Sequence, residues 1–72
     1  MKITDSAQFG KAIRDRRKQL GHTQQELAAF TGLSISFISD LERGKKTAEL
    51  EKALYLANTL GLDVSVETRG AR

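Results

Sequence analysis

The chain has 72 residues, a length that suits a single small domain. It has no cysteine and one histidine, and the lack of cysteine excludes a disulfide framework and a thiolate metal site. Twelve Lys and Arg against nine Asp and Glu give a net charge of +3, an excess that favours anionic partners. The apolar runs are far shorter than the roughly 20 residues that span a bilayer, and the opening MKITDSAQ has no signal-peptide core, so we expect a cytoplasmic protein.

The first predicted helix runs from about Ser6 to Leu20, and Gly21 ends it. Its inward stripe includes an arginine, and an unpaired buried charge costs on the order of several kcal/mol. Arg17 therefore requires a partner, for which Glu42 is the natural candidate. The N-terminal cap is one of Thr4, Asp5 and Ser6. The inward residues are Phe9, Ala12, Ile13, Arg17 and Leu20.

The segment QQELAAFTGLSISFISDLER, residues 24–43, predicts two short amphipathic helices hinged on Gly32. Thr23 is suited to cap the first of them, and Glu26 three residues on completes a capping box. A glycine at the hinge adopts the positive φ that closes a helix before a tight turn. One face of this helix carries Leu27, Ala28 and Thr31.

The third helix is capped by Ser34 or Ser36 and buries a stripe of Phe37, Ile38 and Leu41, with Leu33 as a hydrophobic staple. An α-helix fits the major groove of B-DNA, and the N-terminal residues of such a helix contact base edges. The spacing therefore suits DNA binding. An ordinary helical hairpin inside another small bundle is the alternative. The opposite face carries Ile35, Ser36, Ser39, Asp40 and Arg43.

A fourth helix is predicted from Thr47, as its cap, to Leu60, with Gly61 as the stop. Its core side would carry Leu50, Ala53, Leu54, Ala57 and Leu60. The expected fold is therefore all-α, a small four-helix bundle that contains a helix-turn-helix.

The tail from Leu62 to Thr68 alternates apolar and polar residues and predicts a β-strand. Because a lone strand leaves its backbone groups unpaired, we expect it to pair with the same strand of a second copy. Alternatives are a disordered tail and pairing with residues 1–4. The chain is thus divided into a DNA-binding domain, residues 1–61, and a dimerisation strand and tail, residues 62–72. The dimer would bury Leu62, Val64 and Val66.

The helix-turn-helix residues resemble the Cro/CI (XRE) family of regulators at Leu27-Ala28, Gly32-Leu33, Ile38, Leu41-Glu42 and Arg43-Gly44-Lys45. With the fourth helix and the terminal strand, residues 6–68 are also similar to HipB-like antitoxins. The resemblance implies a repressor that binds an inverted-repeat operator as a homodimer and associates with a HipA-like Ser/Thr kinase toxin. It also implies a structural ion pair between Arg17 and Glu42.

Within this resemblance, Gln24 at the start of the second helix would contact a phosphate, and residues of the third helix would contact bases. Many relatives have glutamine or lysine where this chain has serine, so we expect modest direct readout of bases, with more of the specificity coming from DNA shape and half-site spacing. Asp40 could accept from a cytosine amine, but a solvated or helix-orienting role is more usual. The base-contacting candidates are Ser34, Ile35, Ser36 and Ser39, and the phosphate-contacting candidates after the helix are Arg43, Lys45 and Lys46.

A second basic cluster lies on the first helix, where either phosphate contact or a simple solvated face is consistent with the pattern. It consists of Lys11, Arg14, Arg16, Arg17 and Lys18.

Other functional classes fit less well. An enzyme is not expected, because the chain has no cysteine nucleophile, no phosphate-cradling glycine loop and no carboxylate or histidine cluster. His22 fits a turn between helices, and we expect no metal ion or cofactor. Two alternatives to an antitoxin are a free-standing or phage-type repressor without a toxin partner and a protein-interaction module that has lost DNA binding.

Overall fold

The computed structural model describes residues 2–70, so that Met1, Ala71 and Arg72 lie outside the described residues. Its helices are α1 (Ser6–Gln19), α2 (Gln24–Thr31), α3 (Ile35–Glu42) and α4 (Leu50–Thr59). α3 packs against both α1 and α2. The all-α, four-helix prediction is confirmed. Among residues 2–70 no helix is both long and apolar enough to cross a membrane.

Local capping sets the ends of the first three helices. Asp5 caps α1, where its Oδ1 accepts from the backbone N–H of Gln8 at 2.8 Å. Thr23 and Glu26 form the expected capping box, each side chain accepting from the other's backbone N–H at 3.0 and 2.8 Å. Gly32 ends α2 with a φ of 77°. The turn that positions α3 is therefore specified by residues within it.

Each helix contributes one large, fully buried residue to a single core: Ile13, Leu27, Ile38 and Leu56. The other buried apolar side chains are Leu41, Ala53, Ala57 and Leu60. This core is small, as expected for a chain of this length.

The fourth helix begins later than predicted. α4 starts at Leu50, and Glu49 precedes it without a side-chain capping bond, so the expected cap at Thr47 is wrong. Leu50 is 69% exposed, whereas Leu56 is fully buried. Leucines on two faces of this helix allow two core phases, and packing selects the phase that includes Leu56. Leu20 was also expected to face inward but is exposed, because α1 has ended before it.

The predicted strand is wrong for the single chain. Leu62–Thr68 forms no β-ladder, and within residues 2–70 neither it nor the segment at 2–4 is a strand. Leu62 packs partly against the core, and its N–H donates to the oxygen of Ala57 at 2.9 Å. Val64 and Val66 are exposed, the latter at 98%. The alternation of side chains is present, but a strand also requires a hydrogen-bonded partner, and one copy supplies none.

Two glycines allow α1 to lie against the end of α3. A Cβ at Gly10 would overlap the carbonyl oxygen of Leu41 and come 2.9 Å from that of Glu42. A Cβ at Gly44, which has a φ of 86°, would come 2.8 Å from the Cα of Ala7. The hydroxyl of Ser6 donates to the oxygen of Gly44 at 2.9 Å. The two backbones are therefore closer than any side-chained residue permits.

We expect Gly10→Ala to destabilise the domain through overlap with backbone atoms that cannot move independently, by about 3 kcal/mol, the upper end of the overpacking range. Gly32→Ala is the matched control. Its Cβ would meet nothing within 4 Å, so only the positive φ is penalised, at about 1 kcal/mol. Urea unfolding followed by circular dichroism measures both. A Gly10→Ala protein no less stable than Gly32→Ala would contradict the close approach.

Candidate nucleic-acid interface

A buried ion pair fixes the base of the candidate interface. Arg17 donates from Nε to Oε2 of Glu42 at 2.7 Å and from Nη2 to Oε1 at 2.9 Å. Its Nη1 donates to the carbonyl oxygen of His22 at 2.9 Å. Each of the two charged residues is 8% exposed. The geometry is the bidentate arrangement in which a guanidinium and a carboxylate bind most strongly, and it ties α1 to the last residue of α3.

Both members of this pair are charged at neutral pH. Burial raises the pKa of the Glu42 carboxyl, but hydrogen bonds from Arg17 and Gln24 and the nearby positive charge outweigh it, so the pKa lies below its ordinary value. The hydrogen bond to Glu42 raises the pKa of Arg17 despite its burial. The pair thus satisfies two charges that would be costly alone.

Gln24 connects this pair to the surface. It is the first residue of α2 and is half-buried, and its Nε2 donates to Oε1 of Glu42 at 3.0 Å. An amide nitrogen carries two hydrogens, so this bond leaves one for an outside acceptor. The sequence predicted a phosphate contact at this position but missed the bond to Glu42. That arrangement orients the glutamine side chain before any ligand arrives.

The N-terminal half of α3 is exposed. Ser34 is its N-cap, and the serine Oγ accepts from the N–H of Phe37 at 3.0 Å, which decides between the two caps considered. Its hydroxyl hydrogen can still donate outward. Ile35 is 44% exposed, and Ser36 is exposed beside it, whereas Ser39 is half-buried. Short polar side chains and one exposed aliphatic side chain therefore occupy the start of this helix.

Two basic residues after α3 contact Asp40, for which the sequence analysis predicted no ion pair. Arg43 donates from Nη2 to Oδ1 of Asp40 at 2.6 Å and from Nη1 to Oγ of Ser39 at 2.9 Å. Lys45 Nζ lies 3.5 Å from Oδ2 of the same aspartate. Lys46 is exposed. The spacing of Asp40 and Arg43, three residues apart on a helix, was the available signal.

The basic cluster of α1 is largely occupied by internal contacts. Arg16 Nε donates to the carbonyl oxygen of Leu60 at 2.8 Å and so satisfies a backbone group at the C-terminal end of α4. Lys11 pairs with Asp15 at 2.7 Å. With Arg17 in the buried pair, at least these three residues have structural roles.

His22 lies in the turn between α1 and α2. Its ring meets that of Phe30 edge-on, with centroids 5.1 Å apart, and its Nδ1 is 3.9 Å from Oε1 of Glu26. In residues 2–70 no three histidine, aspartate or glutamate side chains gather where they could hold a metal ion.

Comparison with known proteins gives consistent matches. A family model described as Helix-turn-helix matches residues 13–66. An uncharacterized HTH-type transcriptional regulator of Sinorhizobium fredii is 38% identical over 71 residues, 99% of this chain and 93% of the relative. A chain of the HipB-O4 20mer complex is 28% identical, with a TM-score of 0.85 over 96% of this chain and 97% of that chain. A chain of the HipA-HipB-O2-O3 complex matches with the same values.

The buried pair predicts how stability depends on charge and pH. We expect Glu42→Gln to lower the free energy of unfolding at pH 7 by about 3 kcal/mol, because Arg17 keeps a buried charge without its counterion. A carboxyl with a lowered folded-state pKa stabilises the fold above the unfolded-state value, and that stability is lost as pH falls through the folded-state value. The difference between wild type and variant should therefore shrink below pH 4.5, the ordinary value for glutamate.

Denaturant unfolding at a series of pH values measures this difference. Asp15→Asn, which removes the exposed partner of Lys11, is the control and should change stability little. A difference between wild type and Glu42→Gln that stayed constant down to the acid transition would contradict the assigned role of Glu42.

Proposed function

The chain belongs to the helix-turn-helix family, as a Cro/CI-type regulator similar to HipB, and from that premise we propose that it is a repressor that binds operator DNA through α3. The observation that carries the proposal is the exposed N-terminal half of α3, a helix whose last residue is tied to α1 by the Arg17–Glu42 pair. A helix presented in this way can enter the major groove with its first residues at the base edges. The relative of this chain from Sinorhizobium fredii is an HTH-type transcriptional regulator, and we propose no catalytic role for the chain.

Specificity would come from a few short side chains. Ser36 and Ser39 can each donate or accept at a base edge, and Ile35 can pack on a thymine methyl group. Ser34 would contribute through its hydroxyl hydrogen, since its oxygen already caps α3. Serine discriminates weakly between bases, so part of the specificity would come from the shape of the DNA.

Phosphate contacts would flank α3 on both sides. On one side, Gln24 offers its second amide hydrogen, and the N-terminus of α2 offers backbone N–H groups. On the other side, Lys46 is exposed, and Arg43 and Lys45 become available when they leave Asp40. Contacts on two sides fix the orientation of α3 in the groove without reading sequence.

We further propose that two copies bind an inverted-repeat operator as a homodimer joined by the tail. Residues 62–68 alternate in the manner of a strand, and Val66 is almost fully exposed in the single chain. Antiparallel pairing with the tail of a second copy would supply the missing ladder and bury Leu62, Val64 and Val66. The two copies of α3, about 34 Å apart, would then contact the two half-sites of the operator.

A finer assignment concerns a protein partner. We infer that the chain is the antitoxin of a type II toxin-antitoxin operon and binds a HipA-like kinase toxin. Likeness to a chain of the HipA-HipB-O2-O3 complex, over 96% of this chain, supports it. The test is co-expression with the product of a kinase-like gene adjacent to its own, followed by purification through a tag on this chain. If no such complex forms, the protein is a free-standing repressor.

Operator binding is tested by titrating the protein into duplex DNA from upstream of its own gene at two salt concentrations. We expect saturable binding that weakens steeply with salt, since phosphate contacts release counterions. Ser36→Glu should abolish it, because a carboxylate at the base edges is repelled by DNA and accepts where serine donates. Asn58→Glu, which adds the same charge on an exposed position of α4, should retain saturable binding. Equal binding of Ser36→Glu and wild type would contradict recognition through α3.

The dimer is tested by Val66→Asp, with the molar mass measured by light scattering after gel filtration. The side chain is 98% exposed in the single chain, so the substitution should leave the helical fold intact. If two tails pair, it places a carboxylate in a buried apolar row, and we expect a monomer with much weaker operator binding. Ser65→Asp, on the other face of the same segment, should remain dimeric. A monomeric wild type, or a dimeric Val66→Asp, would contradict pairing through the tail.

A further inference from the structure

The carboxylate of Asp40, on α3, holds two of the cations that DNA binding would use. Asp40 accepts from Arg43 at Oδ1, 2.6 Å away, and lies 3.5 Å from Lys45 Nζ at Oδ2. Arg43 is held a second time by the oxygen of Ser39, at 2.9 Å. Each oxygen of the carboxylate thus has one cation. In the unbound protein, Asp40 is therefore the counterion that a DNA phosphate would have to replace at Arg43 and Lys45.

This arrangement is at the surface. The side chain of Arg43 is 72% exposed, that of Lys45 53% and that of Asp40 33%. Exposed ion pairs of this kind are weak, so a phosphate can compete for the cations. When it does, Asp40 loses both partners and is left beside the negatively charged backbone.

Only some DNA can compensate for that loss. A carboxylate accepts hydrogen bonds and cannot donate, and in the major groove only the amines of cytosine and adenine donate. Cytosine N4 is the usual partner of an aspartate. On DNA without an amine at that position, release of the cations would leave Asp40 unpaired, so Asp40 keeps them. A half-site with a cytosine there gives Asp40 a new partner and frees the cations for phosphates.

We propose that Asp40 is a specificity-determining residue, which lowers affinity for arbitrary DNA by holding Arg43 and Lys45 and admits a site that offers a base amine, cytosine N4 above all. This inference rests on the proposed binding of DNA through α3. It differs from a simple repulsion of DNA by an acidic residue, because it acts through the two cations.

The experiment compares wild type with Asp40→Asn on two probes, the duplex from upstream of the gene and a scrambled duplex of the same length and composition. At low salt, Asp40→Asn should bind the scrambled duplex several-fold more tightly. Its salt slope on that duplex should steepen by about 1 to 2, because up to two more phosphates are contacted. The preference for the upstream duplex should fall by a similar factor, because binding to the scrambled duplex tightens while the asparagine oxygen can still accept from a base amine.

Asp15→Asn is the matched control, since it makes the same substitution in another exposed carboxylate that pairs with a lysine, at 2.7 Å. It should leave the preference unchanged. If Asp15→Asn shifts binding as much as Asp40→Asn, net charge explains the effect and the proposal is overturned. The same holds if Asp40→Asn keeps the wild-type preference.

A variant that lacks both cations distinguishes two explanations: that Asp40 acts by holding Arg43 and Lys45, or that its charge repels DNA directly. In a protein that already carries Arg43→Ala and Lys45→Ala, Asp40→Asn should no longer tighten binding to the scrambled duplex. A gain of the same size as in wild type would show direct repulsion and overturn the proposal. Failure of the proposed function looks different: wild type itself would then show no preference for the upstream duplex. A wild type with a clear preference that Asp40→Asn retains would leave operator binding standing and remove only the role of Asp40.

Discussion

The bidentate pair between Arg17 and Glu42 is the interaction on which the geometry of this small domain depends. It joins α1 to the last residue of α3, and through Gln24 and the carbonyl of His22 it also reaches the start of α2 and the turn before it. Replacing a buried ion pair with apolar residues often costs no stability. We therefore interpret the Arg17–Glu42 pair as fixing the relative orientation of the helices more than as raising the free energy of unfolding. Apolar contacts tolerate rotation of one helix against another, whereas four hydrogen bonds with fixed lengths do not. With so small a core, the orientation of α3 depends on these polar contacts.

The pair can form only because α1 and α3 approach closely. Gly10 lies against the carbonyl oxygens of Leu41 and Glu42, and Gly44 lies against the backbone of Ala7. These contacts set the distance between the two helices, and the ion pair sets their angle. Steric and electrostatic constraints thus act on the same junction, at the opposite end of α3 from its exposed residues. A change at either glycine is therefore expected to move the exposed side chains of α3, for which we propose DNA contacts, through the position of the helix.

Which features could be predicted from the sequence depends on how far apart in the chain the interacting residues lie. The start of α2 was predictable, because Thr23 and Glu26 lie three residues apart and cap each other. For α3 the sequence allowed Ser34 or Ser36 as the cap, and the structure selects Ser34. The partner of Arg17 was predictable because a buried charge has few solutions. The core phase of α4 was not, since leucines lie on both sides of that helix and only packing chooses Leu56. The tail shows the opposite case: its alternation is real, but a strand is a property of two segments. No local pattern marked the bonds of Gln24 or Arg16.

The charges of the interface also bear on how strongly one copy would bind DNA. Of the candidate DNA contacts after α3, Arg43 and Lys45 are balanced by Asp40, and Lys46 remains. On α1, Lys11, Arg16 and Arg17 are engaged within the protein. Fewer cations are therefore free to contact phosphates than the total of 12 Lys and Arg suggests. Under the proposed function, affinity would come from contacts that only the operator sequence provides and from joining two copies, because the second binding event then becomes intramolecular.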